Sequence, residues 1–341
     1  MDGPVAVYVS LPLTGPRGAD GNDAADGARL ALEQAGSRAG GLDVVAKYLD
    51  DAAPIGESGP PAAIRQWDPV ATAANARAAA QDSTTAAYIG ELDNEPTRTS
   101  LPITNDAGIL QISPGAGGID LTAPAEGYPD SPGRYRPSGE ASFARVVPDD
   151  GTEATAAADL AIELGYRKVD VAARDLRFDE LIASEFASAA EGVGVEIGHE
   201  GANAALTIGQ TDGISLLPGG RRADGPGDEV HSIAQPLAPE NLPGAEFPAR
   251  FEQRFDRRPG PYAAYGYEAM NLALQGIAAA DDSDEEFRAA VVDGVLDSER
   301  PDSILGPYSI TEDGDTTLCA VQPYSFGGPR SIPGEPICPG G

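Results

Sequence analysis

Few side chains in this sequence could do acid–base, nucleophilic or metal chemistry. The only imidazoles are His199 and His231, and each sits at the edge of an apolar strand-like run. No His-Glu-x-x-His, Gly-x-Ser-x-Gly or Cys-His pair accompanies them, so zinc and nucleophilic catalysis lack their reacting groups. The spacing Gly15, Gly18, Gly21 after the first apolar run resembles a phosphate cradle. It is not Gly-x-Gly-x-x-Gly, and no Lys-Ser or Lys-Thr follows, which argues against nucleotide binding. The acidic pairs Asp50-Asp51 and Asp149-Asp150 could serve as catalytic carboxylates or calcium ligands, but adjacent residues at a strand end point in different directions. A solvated turn and a helix cap are the expectation for them. The run Asp281 to Glu286 enters a helical pattern, where negative charge complements the dipole. Cys319 and Cys338 have no metal-type spacing. They suit a disulfide pinning the Gly/Pro-rich C-terminal segment in an oxidising compartment, and free thiols otherwise.

Composition narrows the function classes further. The net charge is -31, from 54 acidic against 23 basic residues, with Lys47 and Lys168 the only lysines. Nucleic acid needs a counterion-releasing basic patch, and the local clusters Arg221-Arg222 and Arg254-Arg257-Arg258 are small and set among acids. A strongly acidic surface favours a soluble, monomeric protein. At 341 residues the chain is long enough for two domains, since single cores stop growing near about 250 to 300 residues. No run reaches the roughly 20 apolar residues of a membrane span. The acidity suits an extracytoplasmic or salt-adapted surface, and no signal peptide is visible before the first strand, which for a secreted protein puts the targeting segment outside this sequence.

Strand and helix patterns alternate along the first third. Val5 to Leu11 reads as a buried strand and Asn22 to Ala35 as a helix ending at Gly36. Leu42 to Leu49 is a second strand, followed by a Pro/Gly-rich insertion to about Trp67. Asp68 caps a helix to Gln81 with Pro69 at its first position. Strand Thr85 to Ile89, helix Glu95 to Ala107 and strand Gly108 to Ile112 complete a doubly wound pattern, whose ligands bind beyond the carboxyl ends of the strands. Phe143 to Val147 marks the first crossing to a second alternation: helix Thr152 to Leu164, strand Val169 to Ala173, helix Phe178 to Glu191 and strand Val193 to Ile197. The region from about 198 to 229 leaves room for fewer βα units than the first lobe has. Val230 to Pro236 reads as a return strand, Ala245 to Phe255, Tyr262 to Ala280 and Asp284 to Gly294 as helices, and Gly306 to Ile310 with Thr316 to Gln322 as a closing hairpin. Ser325 to Gly341 has the composition of a tail.

The loops at the strand ends carry a resemblance. Pro12-Leu13-Thr14-Gly15 with Gly21 and Asp26-Gly27-Ala28, Leu49-Asp50-Asp51 with Asp68-Pro69 and Ala74-Asn75, and Ile89-Gly90 through Ile112-Ser113-Pro114 to Leu121-Thr122 form one constellation. Val146-Val147-Pro148-Asp149, Leu164-Gly165, Tyr262 to Ala269 and Gly314-Asp315-Thr316 extend it. Over about residues 4 to 322, except roughly 198 to 229, the sequence resembles the type I solute-binding proteins of ABC importers, specifically the leucine/isoleucine/valine-binding group.

The resemblance implies an α/β protein of the two-lobed type I periplasmic binding protein fold, each lobe a mainly parallel doubly wound sheet and the second lobe shortened. It implies a first lobe of 1–122 plus about 231–300, a second of about 143–230 plus about 301–322, and a tail over 323–341. A small polar solute, an amino acid or related compound, would be captured between the lobes and passed to the importer's membrane subunits, with no cofactor and no chemistry on the solute. A ligand-sensing or degenerate receptor of the same fold is the alternative. By position the resemblance implicates Leu13, Thr14, Gly15, Asp20, Leu92, Asp93, Asn94, Ser113, Gly115, Ala116 and Gly117 of the first lobe, with Phe178 and Asp212 of the second. It puts Ala116 on a cleft rim, outside the core. Asn94 and Gly117 stand where the family's amino-acid binders have hydroxyls. Asp20 and Asp93 either suit a polar or cationic ligand or cap the adjacent helices.

Overall fold

A computed structural model describes residues 3–52, 67–172, 177–208, 214–218, 230–280, 286–326 and 331–340. These residues form two compact units, one of Met1–Ala123, Asp130–Val147 and Leu242–Leu318, the other of Pro124–Pro129, Pro148–Asn241 and Cys319–Gly341.

The first unit opens with β1 (Val5–Leu11), α1 (Gly18–Gln34), the short β2 (Arg38–Ala39) and β3 (Leu42–Asp50), then α2 (Pro69–Gln81), β4 (Thr85–Ile89), α3 (Asn94–Asp106), β5 (Leu110–Ser113) and β6 (Phe143–Arg145). Every residue of β1 and β4 is buried, as a strand covered on both faces requires. The sheet order is β2-β3-β1-β4-β5-β6, parallel except for β2 against β3. Asp68 accepts a hydrogen bond from the Val70 amide and Pro69 follows, so α2 starts at the expected residue. The structure begins α1 four residues before the expected Asn22, with Arg17 at the capping position.

The chain continues in the second unit with α4 (Asp150–Glu163), β7 (Lys168–Ala172), α5 (Arg177–Val193), β8 (Glu196–Ile197), β9 (Ala204–Ile208), β10 (Ile214–Pro218) and β11 (Val230–Ala234). It returns to the first unit for α6 (Phe247–Phe255), α7 (Tyr262–Ala279), α8 (Phe287–Asp293), β12 (Ser298–Arg300) and β13 (Tyr308–Ile310). It ends in the second with β14 (Gln322–Phe326) and β15 (Ile332–Pro333). The second unit's sheet has the order β15-β14-β11-β10-β9-β7-β8. Only β7 with β8 and β7 with β9 pair in parallel, and β9, β10, β11, β14 and β15 run as an antiparallel series. Among the described residues it carries two α-helices, α4 and α5, against six in the first unit, so βα units are replaced by meander. Its core gathers the alanines of α4 with Ile182 and Phe186 of α5 and Leu206, Ile214 and Ile233 of the sheet.

Several expected boundaries are corrected. Phe143 to Arg145 pairs with β5, so this segment belongs to the first unit. Val230 to Ala234 pairs with β10 and β14, which places it in the second. The expected hairpin of Gly306–Ile310 with Thr316–Gln322 is cut to its turn end: β13 pairs with β12, while Ile310 bridges Thr316 and the amides of Thr311 and Thr317 donate to the Asp315 and Ser309 carbonyls. Residues 301–318 stay in the first unit because the Gly314 carbonyl bonds the Arg145 amide and Asp315 its guanidinium. The expected tail contains strands, tied by the Cys319–Cys338 disulfide. Asp149 caps α4 as expected, accepting from the Thr152 amide at 2.7 Å.

Candidate functional site

In the first unit the chain steps from β1 to β3 on one side and then back past β1 to β4. That reversal is a topological switch point, and the loops beyond the carboxyl ends of such strands form a binding crevice. Side-chain bonds fix these loops to one another. The Asp50 carboxylate at the end of β3 accepts from the Leu13 amide at 2.9 Å, the Thr14 hydroxyl at 2.6 Å and the Ala52 amide at 2.9 Å. Asn22 of α1 donates to the Leu13 carbonyl at 2.8 Å. A Cβ on Gly21 would lie 2.0 Å from the Pro12 carbonyl oxygen, so only glycine lets α1 approach this turn.

Arg17 was not among the expected site residues, although it lies inside the turn that follows β1. Its buried guanidinium lies 3.4 Å from Asp20 and 3.1 Å from Asp93, donates to the Tyr262 hydroxyl at 3.2 Å, and sits 5.3 Å from the centre of that ring. Asp93 therefore holds an ion pair where a cap was one expectation, and it makes no side-chain bond to the start of α3. Tyr262 was also missed as a site residue. Burial pushes its hydroxyl well above the ordinary range, with Arg17 opposing.

The loop after β5 is held from inside. The Ser113 hydroxyl donates to the Glu91 carbonyl at 2.6 Å and accepts from the amides of Gly115 at 3.2 Å and Ala116 at 2.8 Å. A Cβ on Gly115 would lie 2.3 Å from the Leu92 carbonyl oxygen. Asn94 accepts from the Gly118 amide at 2.8 Å, joining this loop to α3. Leu92, Ala116 and Gly117 are buried. Ala116 packs with Leu101, Leu121, Tyr135 and Phe143, which corrects the expectation that it lies on a rim outside the core. Two buried arginines brace the loop from behind. Arg98 forks onto Asp120, which also accepts from Tyr135, and Arg145 reaches the Gly118 carbonyl, the Thr122 hydroxyl and both oxygens of Asp315.

Asp51 and Glu91 follow β3 and β4 and are 1% and 0% exposed, so the solvated turn expected at Asp50-Asp51 is corrected for its second residue. Tyr88 donates to one Glu91 oxygen at 2.5 Å. Around the pair, among the described residues, the donors are Tyr88, the Ser10 hydroxyl beside Glu91 and the amide of Asp51 itself, and no cation reaches it. The two carboxyls face each other closely enough to share a proton, which lowers the one and raises the other. Desolvation, more than the neighbouring charges, pushes Asp51 up to about 6 and Glu91 well above the carboxylate range.

In the second unit, Phe178 lies within α5, and Asp212 lies outside the described residues. Residues 281–285 of the acidic run also lie outside them, and Glu286 makes no side-chain cap. A cavity of about 850 Å³ lined by Ser142, Phe287, Arg288 and Val292 lies at the other end of the first unit's strands, where Arg288 donates to the carbonyls of Asp82, Thr85 and Ala107. Among the described residues there is no group of three or more His, Cys, Asp and Glu side chains suited to a metal ion, and no helix is long and apolar enough to cross a membrane.

The order of the first unit's sheet, its switch-point loops and the two-unit division define the two-lobed type I periplasmic binding protein fold. Solved structures of that fold match the chain over nearly its whole length. A leucine-binding protein, LivK, of Thermotoga maritima is 16% identical, with 98% of this chain and 99% of that one covered at a TM-score of 0.74. An ABC transporter substrate-binding protein of Desulfitobacterium hafniense in complex with Leu is 18% identical, with 97% and 99% covered at 0.69. An ABC transporter solute-binding protein of R. palustris in complex with benzoate is 18% identical, with 99% and 97% covered at 0.70. No protein-family model and no curated protein sequence matches the chain.

Proposed function

We propose that this chain is an extracytoplasmic solute-binding protein that captures a small polar molecule for an ABC-type importer and leaves it chemically unchanged. The observation that carries the reading is the end-to-end likeness to ABC substrate-binding proteins, combined with switch-point loops kept in register by Asp50, Ser113 and Asn94. Those bonds order the loops from within the protein, which lowers the ordering cost of binding. The importer's membrane subunits are its transient partners, and the acidic surface favours a monomer. A ligand-sensing or degenerate receptor of the same fold without a transport role is the second reading. Its support is that the Ser113 hydroxyl and the Asn94 side-chain carbonyl are already engaged within the protein. Thermal unfolding against a panel of amino acids, amines and small acids tests both. A ligand at 100 times its Kd adds about 2.7 kcal/mol. A reproducible shift with one chemical class supports solute binding, and a flat response across the panel contradicts it.

A further inference from the structure

Resting on the solute-binding reading, we propose that the Asp51/Glu91 pair is the subsite for a cationic group of the solute, of the ammonium or amidinium class. The pair sits at the switch point, one carboxyl following β3 and the other β4 on either side of β1. Asp51 is 1% exposed, and apart from its own amide and the neighbouring Glu91 carboxyl no amide, hydroxyl or cation faces its oxygens among the described residues. Two buried carboxyls that share one proton are held at a cost that an N–H donor with positive charge removes. The residues around the pair supply no such donor. Tyr88 bonds the other oxygen of Glu91, and Asn75 donates to the Ser10 hydroxyl and the Asp50 carbonyl.

The neighbouring groups also argue against a carboxylate ligand at this end. The Ser113 hydroxyl spends its proton on the Glu91 carbonyl, and Arg17 is engaged by Asp20 and Asp93. Asp50 and Asp93 further raise the negative potential at Asp51. The Leu13–Thr14 turn borders this end, tied to it by Asp50, the residue before Asp51.

A cation and a proton compete for the same oxygens. Binding below the pH at which Asp51 ionises therefore releases one proton to the buffer, and affinity weakens roughly tenfold per pH unit below about 6. Putrescine and agmatine, which lack a carboxylate, and benzoate, which lacks a cation, are the probes. Thermal unfolding and calorimetry are carried out on the full chain and on Asp51→Asn and Glu91→Gln. Both variants relieve the buried acid pair and should unfold no earlier than the wild type at pH 7.5, which controls for folding. The expected result is stabilisation by putrescine or agmatine, lost in both variants and weakening from pH 6 to pH 5. If neither amine stabilises the wild type, or if the variants respond as it does, the cation subsite is overturned. Stabilisation by benzoate alone would leave solute binding standing and remove this inference. Silence from all three probes, together with a flat response to the wider panel, would remove both.

Discussion

Replacing Glu91 by glutamine isolates the energetic cost of the buried acid pair. In the wild type the Asp51 carboxyl rises from 3.8 to about 6 on folding, with desolvation the largest cause. A raised acid binds its proton more tightly in the folded state, so its stabilising contribution is complete below pH 3.8 and is lost as pH rises through about 6. About two units at 1.36 kcal/mol each gives ~3 kcal/mol. In Glu91→Gln the new side-chain amide would present an N–H to Asp51, relieving most of that cost. Its shape also keeps the acceptor for Tyr88. Urea unfolding of both proteins from pH 4 to 7.5 is the assay. The variant should be more stable at pH 7.5 by at least about 3 kcal/mol, since the raised Glu91 carboxyl is removed as well, and the two curves should converge near pH 4. Self-repulsion from the net charge of -31 changes with pH in both proteins and cancels in the difference. Parallel curves across this range would refute the shared proton.

Two further perturbations test the frame behind the loops. Ala116→Leu should destabilise by about 1–3 kcal/mol in urea, because Leu101, Leu121, Tyr135 and Phe143 already fill the space around Ala116; an unchanged midpoint would return Ala116 to the rim. Arg145→Ala should cost roughly 3–5 kcal/mol, since it leaves Asp315 without its guanidinium and the Gly118 carbonyl without a donor. A loss under about 1 kcal/mol, measured by the same unfolding, would show that water replaces these bonds.

How much of this was legible in sequence follows the range of the interactions. The limits of β1 and β4 match the expected residues, because short apolar runs bounded by turns define buried strands locally. The start of α2 was equally legible from Asp68-Pro69. The antiparallel series of the second unit was not. Its segments were visible, but β11 meets β14 across some 90 residues of chain, and pairing at that distance leaves no local pattern. The terminal strands failed for the same reason, since Pro and Gly in Ser325 to Gly341 suggested a tail, whereas partners outside it hold strands there in place. At the site, the loops themselves were legible and their commitments were not. Arg17 meets Asp93 and Tyr262 only after folding, and Asp51 is buried by the approach of Leu11 and Glu91 to the same sheet end. The acids at positions 20 and 93 were legible as unusual, but the arginine that accounts for their position was not read as part of the site.

Capture of a small solute is tested most directly by mass spectrometry of the molecules released when the purified protein is denatured. The expected release is one small nitrogenous cation in near-equimolar amount, whose return to the refolded protein raises its unfolding temperature. Release of no small molecule, with no compound of any charge class shifting that temperature, would contradict solute capture.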